Sequence, residues 1–129
     1  MRSIKNSQGR TVIVSENLSE SSCEACREGA PVLSDSEISE LMKEIPSWII
    51  HEEDGVRRLV CSFAFSSYRD SLDFTNKIAS LAENEDHHPE IILEWGNVTI
   101  SWWSHKIKGL HKNDFICASK TDNIFKSSS

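Results

Sequence analysis

The side chains best suited to chemistry lie in the second half of the chain. His87, His88 and His105 are three of its five histidines, and Asp86 and Asp114 supply carboxylates near them in the sequence. A free imidazole has a pKa of about 6.5, so it can give or take a proton near neutral pH. Two imidazoles on separate elements can therefore act as a general acid and a general base on one substrate without a metal.

Pro89 controls how the first two histidines are held. Because a proline disfavours the α conformation in the residue before it, we expect His88 to be extended and a helix to end nearby. A β-hairpin with its turn at Gly96-Asn97 follows, and its second strand delivers His105 back toward the pair. The three imidazoles are therefore predicted to converge at one end of a hairpin.

The second strand of this hairpin presents two different faces. Successive side chains of a strand point to opposite sides of the sheet. The set expected to face the core comprises Val98, Ile100, Trp102 and Ser104. The opposite set comprises Thr99, Ser101, Trp103 and His105. We expect Trp103 and His105 to lie side by side on an open sheet surface, which suits a flat heteroaromatic ligand.

The acidic run Glu83-Asn84-Glu85-Asp86 lies where the preceding helix should end. Negative charge is unfavourable at a helix C-terminus, so helix stability does not explain this run. A carboxylate beside an imidazole favours the protonated ring, and Asp86, next to His87, is the better candidate for that role. For Glu83 and Glu85 a solvated acidic loop is an equally good interpretation.

The remaining patterns predict the elements that carry this segment. The first half contains a helix from a capping box at Ser34 and Glu37 to Pro46, and then strands over 48–52 and 59–65 around a turn at Asp54-Gly55. A second helix runs from Ser66-Ser67 to about Asn84, and strands follow over 91–95 and 98–104. A turn at Gly109-Leu110 leads into a last helix over 112–125. This order predicts a single α+β domain, α-β-β-α-β-β-α, with four antiparallel strands and three helices on one face.

Periodicity also predicts which side chains form the core. The set comprises Ile38, Leu41, Met42, Ile45, Leu59, Cys61, Phe63, Phe65, Leu72, Phe74, Ile78, Ala79, Leu81, Ala82, Phe115, Cys117 and Ala118. Two histidines fall outside the candidate site. We expect His51 to be a solvated strand residue and His111, at the start of the last helix, to be structural.

The composition excludes several classes of function. With 129 residues, 38% hydrophobic and 26% charged, the chain is typical of a single globular domain. Its formal charge of −6 argues against nucleic acid as a partner, because phosphate contacts need clustered Lys and Arg. It has neither an apolar run long enough to span a membrane nor a signal-peptide pattern. We therefore expect a cytoplasmic protein with reduced cysteines and no membrane partner.

The pair Cys23 and Cys26 has a spacing that lets both sulfurs face one metal ion or each other. Structural zinc needs four ligands, and no second Cys-x-x-Cys exists, while core packing explains Cys61 and Cys117. We therefore predict no metal. Residues 1–22 are polar apart from a β-prone run over 11–14, so we expect a flexible tail before a domain over 23–126.

The spacing of several of these residues resembles that of the pterin-4a-carbinolamine dehydratases. The matching positions are Glu83, His87-His88-Pro89, Trp95, His105 and Asp114, together with Cys23-Glu24-Ala25-Cys26-Arg27, Ile45-Pro46-Ser47-Trp48 and Gly109-Leu110. The likeness covers about residues 23–125. The Cys-x-x-Cys opening and the run from Trp102 to His105 are most similar to the bacterial branch.

This resemblance implies a dehydratase that converts 4a-hydroxytetrahydropterin to quinonoid dihydropterin and water, with neither metal nor cofactor, in tetrahydrobiopterin recycling. It implies that His87 and His105 are the acid/base pair, and that His88 orients the substrate and shares the proton transfer. The expected substrate contacts are Trp103, Trp95 and Pro89. Asp114 is expected to orient or polarise His105.

One position departs from the pattern of the family. Lys106 follows His105 where some members carry an acidic residue. No carboxylate at that position can then act on the His105 ring, which makes Asp114 the more important partner.

The resemblance also implies a homodimer or homotetramer that is linked to a pterin-dependent aromatic amino acid hydroxylase, as in phenylalanine hydroxylation. Two other classes stay open. Animal relatives also serve as a dimerisation cofactor for a homeodomain transcription factor, so a coactivator module without significant catalysis is one. A metal protein built from Cys23, Cys26 and histidines is the other. A dehydration assay tests the first alternative and elemental analysis the second.

Overall fold

A computed structural model describes residues 2–5, 11–14 and 32–128. Its elements are β1 (Arg2–Lys5), β2 (Thr11–Val14), α1 (Asp35–Met42), β3 (Ile49–Glu53), β4 (Val56–Ala64), α2 (Tyr68–Glu85), β5 (Glu90–Glu94), β6 (Asn97–Trp102) and α3 (Lys112–Ser128). From α1 onward the order is α-β-β-α-β-β-α, which confirms the predicted single α+β domain. The β-prone run at 11–14 is strand β2, which pairs with β1 in a separate two-stranded sheet.

The main sheet has the strand order β3-β4-β6-β5, with every neighbouring pair antiparallel. Two hairpins therefore lie side by side, and β4 and β6 occupy the centre. The first hairpin turns at Asp54 and Gly55, as expected, and both residues have positive φ angles of 52° and 77°. A two-residue turn with φ positive at both positions matches the right-handed twist of the strands that it joins.

The predicted alternation of side chains is confirmed in the two central strands. Leu59, Cys61 and Phe63 on β4 and Val98, Ile100 and Trp102 on β6 are all buried. The helices cover this face with the buried side chains Ile38 of α1, Phe74, Ile78 and Ala82 of α2, and Phe115, Ile116, Cys117 and Ala118 of α3. Two core predictions are wrong. Ala79 is exposed, because it lies on the face of α2 away from the sheet, and Leu72 is only partly buried and lies outside the core cluster.

The capping predictions hold at both early helices. Ser34 and Glu37 form the reciprocal capping box of α1, and Ser67 caps α2 by accepting the backbone N–H of Asp70 at 3.0 Å. The first helix ends at Met42 rather than at Pro46, since the chain then tightens into shorter turn bonds such as Ile45 N to Met42 O at 3.2 Å.

The second hairpin differs from the prediction by one residue. Its turn is Trp95-Gly96, and a Cβ at Gly96 would lie 2.9 Å from the carbonyl oxygen of Phe65. That close approach explains the glycine.

Strand β6 ends at Trp102, and the following reversal occupies residues 105–108, closed by a bridge between Ser104 and Gly109. The expected turn at Gly109-Leu110 is therefore wrong, because Gly109 belongs to the bridge.

Two predictions about the first part of the chain stay predictions. Cys23 and Cys26 lie outside the described residues, and the division into a tail over 1–22 and a domain over 23–126 stays a prediction. None of the helices in the described part of the chain is both long enough and apolar enough to cross a membrane.

Candidate active site

The end of α2 determines the different environments of the two adjacent histidines. Asp86 takes the left-handed conformation, with φ 50°, and the backbone N–H of His87 donates to Ala82 O at 3.1 Å. This turn directs the His87 side chain inward, where it is only 6% exposed. His88, one residue later, points outward and is exposed. The proline that follows leads directly into β5.

His87 is held by a buried carboxylate. Its Nε2 lies 2.6 Å from Oδ1 of Asp114, which is completely buried at the start of α3. The imidazole also stacks on Trp102, with ring centroids 5.5 Å apart and an interplanar angle of 12°. The ring is therefore fixed by a hydrogen bond at one edge and by an aromatic plane on one face.

The second oxygen of Asp114 accepts two further hydrogen bonds. The hydroxyl of Ser104 donates to Oδ2 at 2.9 Å, and the backbone N–H of His111 donates to the same atom at 2.9 Å. In return, Nδ1 of His111 accepts the N–H of Asn113 at 3.1 Å, so His111 caps α3. This structural role is the one expected for His111. Both oxygens of Asp114 are therefore engaged by hydrogen bonds.

His88 and His105 meet beside this buried pair. Nε2 of His88 lies 2.7 Å from Oε1 of Glu83, one turn back on α2. Nε2 of His105 donates to the backbone carbonyl of His88 at 3.3 Å. The predicted convergence of three imidazoles at one end of the hairpin is thus found, since β5 begins here and the reversal after β6 carries His105 here.

The three rings share one hydrogen-bonding pattern. In each of His87, His88 and His105, Nε2 faces an oxygen acceptor, so this nitrogen carries the hydrogen. In the neutral form that tautomer leaves Nδ1 as a lone-pair acceptor. The arrangement therefore presents three imidazole nitrogens that can take a proton, and each ring can return one after it is protonated.

An aromatic surface adjoins His105 on the open side of the sheet. The Trp103 and His105 rings lie side by side, with centroids 4.4 Å apart, as the alternation of β6 predicts. The guanidinium carbon of Arg58 lies 3.9 Å from the centroid of Trp103. No sequence pattern had singled out Arg58. Only its position in register beside the end of β6 brings it here.

Two of the expected supporting contacts are corrected by the structure. Asp114 bonds to His87 rather than to His105, because α3 packs against the buried side of the sheet while His105 lies on an exposed turn. Asp86 is exposed and caps α2, so Glu83 is the carboxylate beside the adjacent histidines. The spacing of five residues between Glu83 and His88, just beyond one helical turn, was the available signal.

The predicted substrate contacts are not all brought together. Pro89 and Trp103 lie at the same end of the hairpin as the histidines. Trp95 lies in the turn at the other end, and its side chain is 67% exposed. Five residues of strand separate it from Pro89, which corresponds to about 17 Å. Within one chain, the expected grouping of Trp95 with this site is therefore wrong.

Two observations concern metals and thiols. Within the described ranges, no three His, Cys, Asp or Glu side chains are grouped so that they could hold a metal ion. Cys61 and Cys117 are buried, as expected for core cysteines. Burial raises the pKa of the Cys61 thiol to about 11, and the nearby Asp122 carboxylate contributes in the same direction.

Comparison with known proteins agrees with the geometry. A family model described as "Pterin 4 alpha carbinolamine dehydratase" matches residues 31–124. A protein of Nitrosococcus oceani, named "Putative pterin-4-alpha-carbinolamine dehydratase", is 58% identical over 111 residues, which are 86% of this chain and 98% of that protein.

Two solved structures resemble the fold. The "transcriptional coactivator/pterin dehydratase" of Brucella melitensis has a TM-score of 0.66 and 28% identity, and covers 73% of this chain and 98% of its own. A "pterin dehydratase-like protein", described as a RuBisCO assembly factor in the alpha-carboxysome, has a TM-score of 0.53 and 25% identity, and covers 60% of this chain and 88% of its own.

Proposed function

Because this chain belongs to the Pterin 4 alpha carbinolamine dehydratase family, we propose that it converts a 4a-hydroxytetrahydropterin to a quinonoid dihydropterin and water by histidine acid/base catalysis. The observation that carries this proposal is the buried pair of His87 and Asp114 beside His88 and His105. A carboxylate and an imidazole are expensive to bury, so a buried pair of them beside two further imidazoles favours a chemical role.

The proposed reaction moves two protons. One is given to the hydroxyl on C4a, so that it leaves as water, and one is taken from the neighbouring ring nitrogen N5. The electron pair of the N5–H bond becomes the new carbon–nitrogen double bond. The reaction is a net loss of water without oxidation, so imidazoles supply everything that it needs and no metal is required.

We assign the proton from N5 to His87. Its Nε2–H is engaged by Asp114, which leaves Nδ1 as the acceptor, and the carboxylate stabilises the imidazolium that forms. The stack on Trp102 holds the ring plane still while charge develops. An imidazole fixed in this way needs no reorganisation when it takes the proton.

We assign protonation of the departing hydroxyl to His105, with His88 as the residue that orients the substrate and shares the proton. His105 lies on the exposed turn, so its ring can recover a proton from water after each turnover. His88 is exposed and tied to Glu83, which keeps its ring directed toward the same corner. Trp103 and Pro89 line the approach as proposed substrate contacts.

The cellular setting follows from the chemistry. A carbinolamine at C4a is formed when a tetrahydropterin is oxidised by molecular oxygen in a hydroxylation, in which one oxygen atom goes to the amino acid and the other stays on C4a as the hydroxyl, so a pterin-dependent aromatic amino acid hydroxylase would supply the substrate. The quinonoid product would then return to the tetrahydropterin by reduction. We propose that this occurs in the cytoplasm and that the protein works as a homodimer or homotetramer.

A stopped-flow assay tests the proposal. The 4a-carbinolamine is generated by a hydroxylase, and its decay is followed by absorbance with and without this protein. We expect catalysed decay, with a loss of about 10²-fold or more in the variant His87→Gln. His51→Gln is the matched control, because His51 is an exposed histidine of β3.

The assay also separates the enzyme from a coactivator module. A module without significant catalysis would leave the decay at its uncatalysed rate, and that result would overturn the proposal. Equal rates for His87→Gln and the unaltered protein would instead contradict the assignment of the proton from N5 to His87.

A further inference from the structure

Arg58, Trp103 and His105 form a layered contact on the open face of the sheet. The guanidinium lies 3.9 Å from the indole centroid, and the indole and imidazole centroids are 4.4 Å apart. Trp103 follows the last residue of β6, so its backbone is no longer part of the strand ladder. Contacts of the indole ring, rather than strand pairing, must therefore fix where this side chain lies.

Arg58 is itself held more firmly than a surface arginine. It belongs to β4, a central strand, and its side chain is 17% exposed. One guanidinium nitrogen, Nη1, lies 3.3 Å from the carboxylate of Glu53 on the neighbouring strand β3. The ion pair and the strand together set the position of the guanidinium plane.

One atom of Arg58 indicates that the contact with the indole costs this side chain a hydrogen bond. Among the described residues, its Nε is the one buried side-chain nitrogen or oxygen without a hydrogen-bond partner. Buried donors are almost always satisfied, so an exception calls for a reason. A guanidinium laid on an indole gains a cation–π contact, and that orientation leaves Nε unpaired.

His105 has little else to restrain its ring. It lies on the exposed turn over 105–108, and its hydrogen bond to the carbonyl of His88 is long, at 3.3 Å. By contrast, His87 has a short bond of 2.6 Å and a buried stack. The direction in which His105 presents its free nitrogen therefore depends mainly on the indole beside it.

We propose that Arg58 is a positioning residue for the dehydration reaction, acting on His105 through Trp103. The guanidinium fixes the indole, and the indole fixes the imidazole in the direction that places its proton on the substrate. This inference rests on the proposed function for its effect on turnover. Its structural part concerns the orientation of His105 and can be measured without substrate.

The test compares three variants of the full chain. Arg58→Met removes the charge and the planar group but keeps the apolar stem, and Arg58→Lys restores the charge. Arg57→Met is the matched control, since Arg57 is the adjacent arginine of β4, on the opposite face, paired with Asp35 at 2.8 Å. Circular dichroism and thermal melting establish that each variant is folded.

The first readout is the ring-current shift of His105. An imidazole held against an indole has ring-proton NMR resonances displaced upfield, and they are assigned by their loss in His105→Gln. We expect Arg58→Met to reduce this displacement by half or more, Arg58→Lys to retain most of it and Arg57→Met to leave it unchanged. An unchanged displacement in a folded Arg58→Met variant would overturn the proposal, whether or not the protein proves to be a dehydratase.

The second readout is the division between kcat and KM. We expect kcat of Arg58→Met to fall about tenfold, the fold-change that corresponds to one partly desolvated cation–π contact, while KM changes less than about twofold. Arg58→Lys should recover at least half of kcat. A rise in KM with kcat unchanged would show that Arg58 contacts the substrate itself, and that result would also reject the positioning role.

Discussion

The Nε2 atom of His87 and the Oδ1 atom of Asp114 lie 2.6 Å apart, in a pair that is almost entirely closed to solvent. Asp114 reaches this position because α3 begins directly beside the end of β6, and Ser104 and His111 hold its other oxygen. The carboxylate therefore connects three elements. It caps a helix, anchors the segment that follows β6 and fixes one imidazole of the candidate site.

Removal of the Asp114 charge should reduce turnover without abolishing the fold. We expect Asp114→Asn to lower kcat by about 10²-fold, because His87 loses both its fixed tautomer and the carboxylate that stabilises its imidazolium. The amide also weakens the cap of α3, so the free energy of unfolding should fall by about 1 kcal/mol. Steady-state kinetics and a thermal melt measure the two effects. Asp122→Asn, on the same helix but bonded to Trp48, is the control.

A double variant identifies the histidine through which Asp114 acts. In a His87→Ala background, Asp114→Asn should cost little further activity, since residues that act as one unit are not additive. In a His105→Ala background, the same substitution should still reduce kcat by most of its single-variant factor. The reverse pattern would restore the pairing with His105 that the sequence alone had favoured.

Ser104 should be a positioning residue for Asp114. Its hydroxyl donates to Oδ2 at 2.9 Å, and it is completely buried. Ser104→Ala leaves the carboxylate with one fewer donor and greater freedom, so we expect kcat to fall about tenfold, while Ser104→Thr retains most activity. Ser101→Ala, at a buried serine of β6, should leave kcat unaffected. Equal losses in both alanine variants would indicate a general effect on packing.

The sequence was sufficient for most of the scaffold. Alternation over 97–102 and the capping residues Ser34 and Ser67 depend on local periods and local hydrogen bonds, so they predicted the correct elements and faces. The same local logic predicted that His87 and His105 would converge. Strand and turn lengths alone bring the two ends of a hairpin together.

The partners of the histidines could not be predicted in the same way. Asp114 is nine residues from His105 and 27 from His87 in sequence, yet it bonds to His87. That choice depends on which side of the sheet α3 covers, a tertiary property. The grouping of Trp95 with the histidines was predicted wrongly for a similar reason. Trp95 lies in a hairpin turn, and that turn is a full strand length away from the end of the hairpin where the histidines lie.

The pair Cys23 and Cys26 should be dispensable for the proposed chemistry. The acid/base set is complete in imidazoles, so we expect the double variant C23S/C26S to retain kcat within about twofold. Treatment of the unaltered protein with a chelator, followed by gel filtration, should likewise leave the rate unchanged. Loss of activity on chelation and its return with zinc would contradict this, as would a large loss in a folded double variant.

Cys61 provides a prediction about pH that is independent of catalysis. Burial raises the pKa of its thiol from 9.0 to about 11, with a contribution from Asp122, so at pH 8 the thiolate fraction is about 100-fold lower than that of an ordinary cysteine. We therefore expect Cys61 in the folded protein to react with iodoacetamide at least about 100-fold more slowly than in guanidinium chloride. Mass spectrometry of the alkylated peptides measures both rates, and C23S/C26S simplifies the analysis.

The pH profile of this reaction distinguishes ionisation from simple shielding. An ordinary thiol is half ionised near pH 9 and comes close to its full rate near pH 10, whereas the rate at Cys61 should keep rising about tenfold per pH unit toward pH 11. A raised pKa also means that the folded state binds the proton more tightly than the unfolded chain. The stability linked to this thiol is therefore fully present below pH 9 and is lost as the pH rises from 9 through about 11. A rate that levels off near pH 10 in the folded protein would show that steric shielding alone protects Cys61.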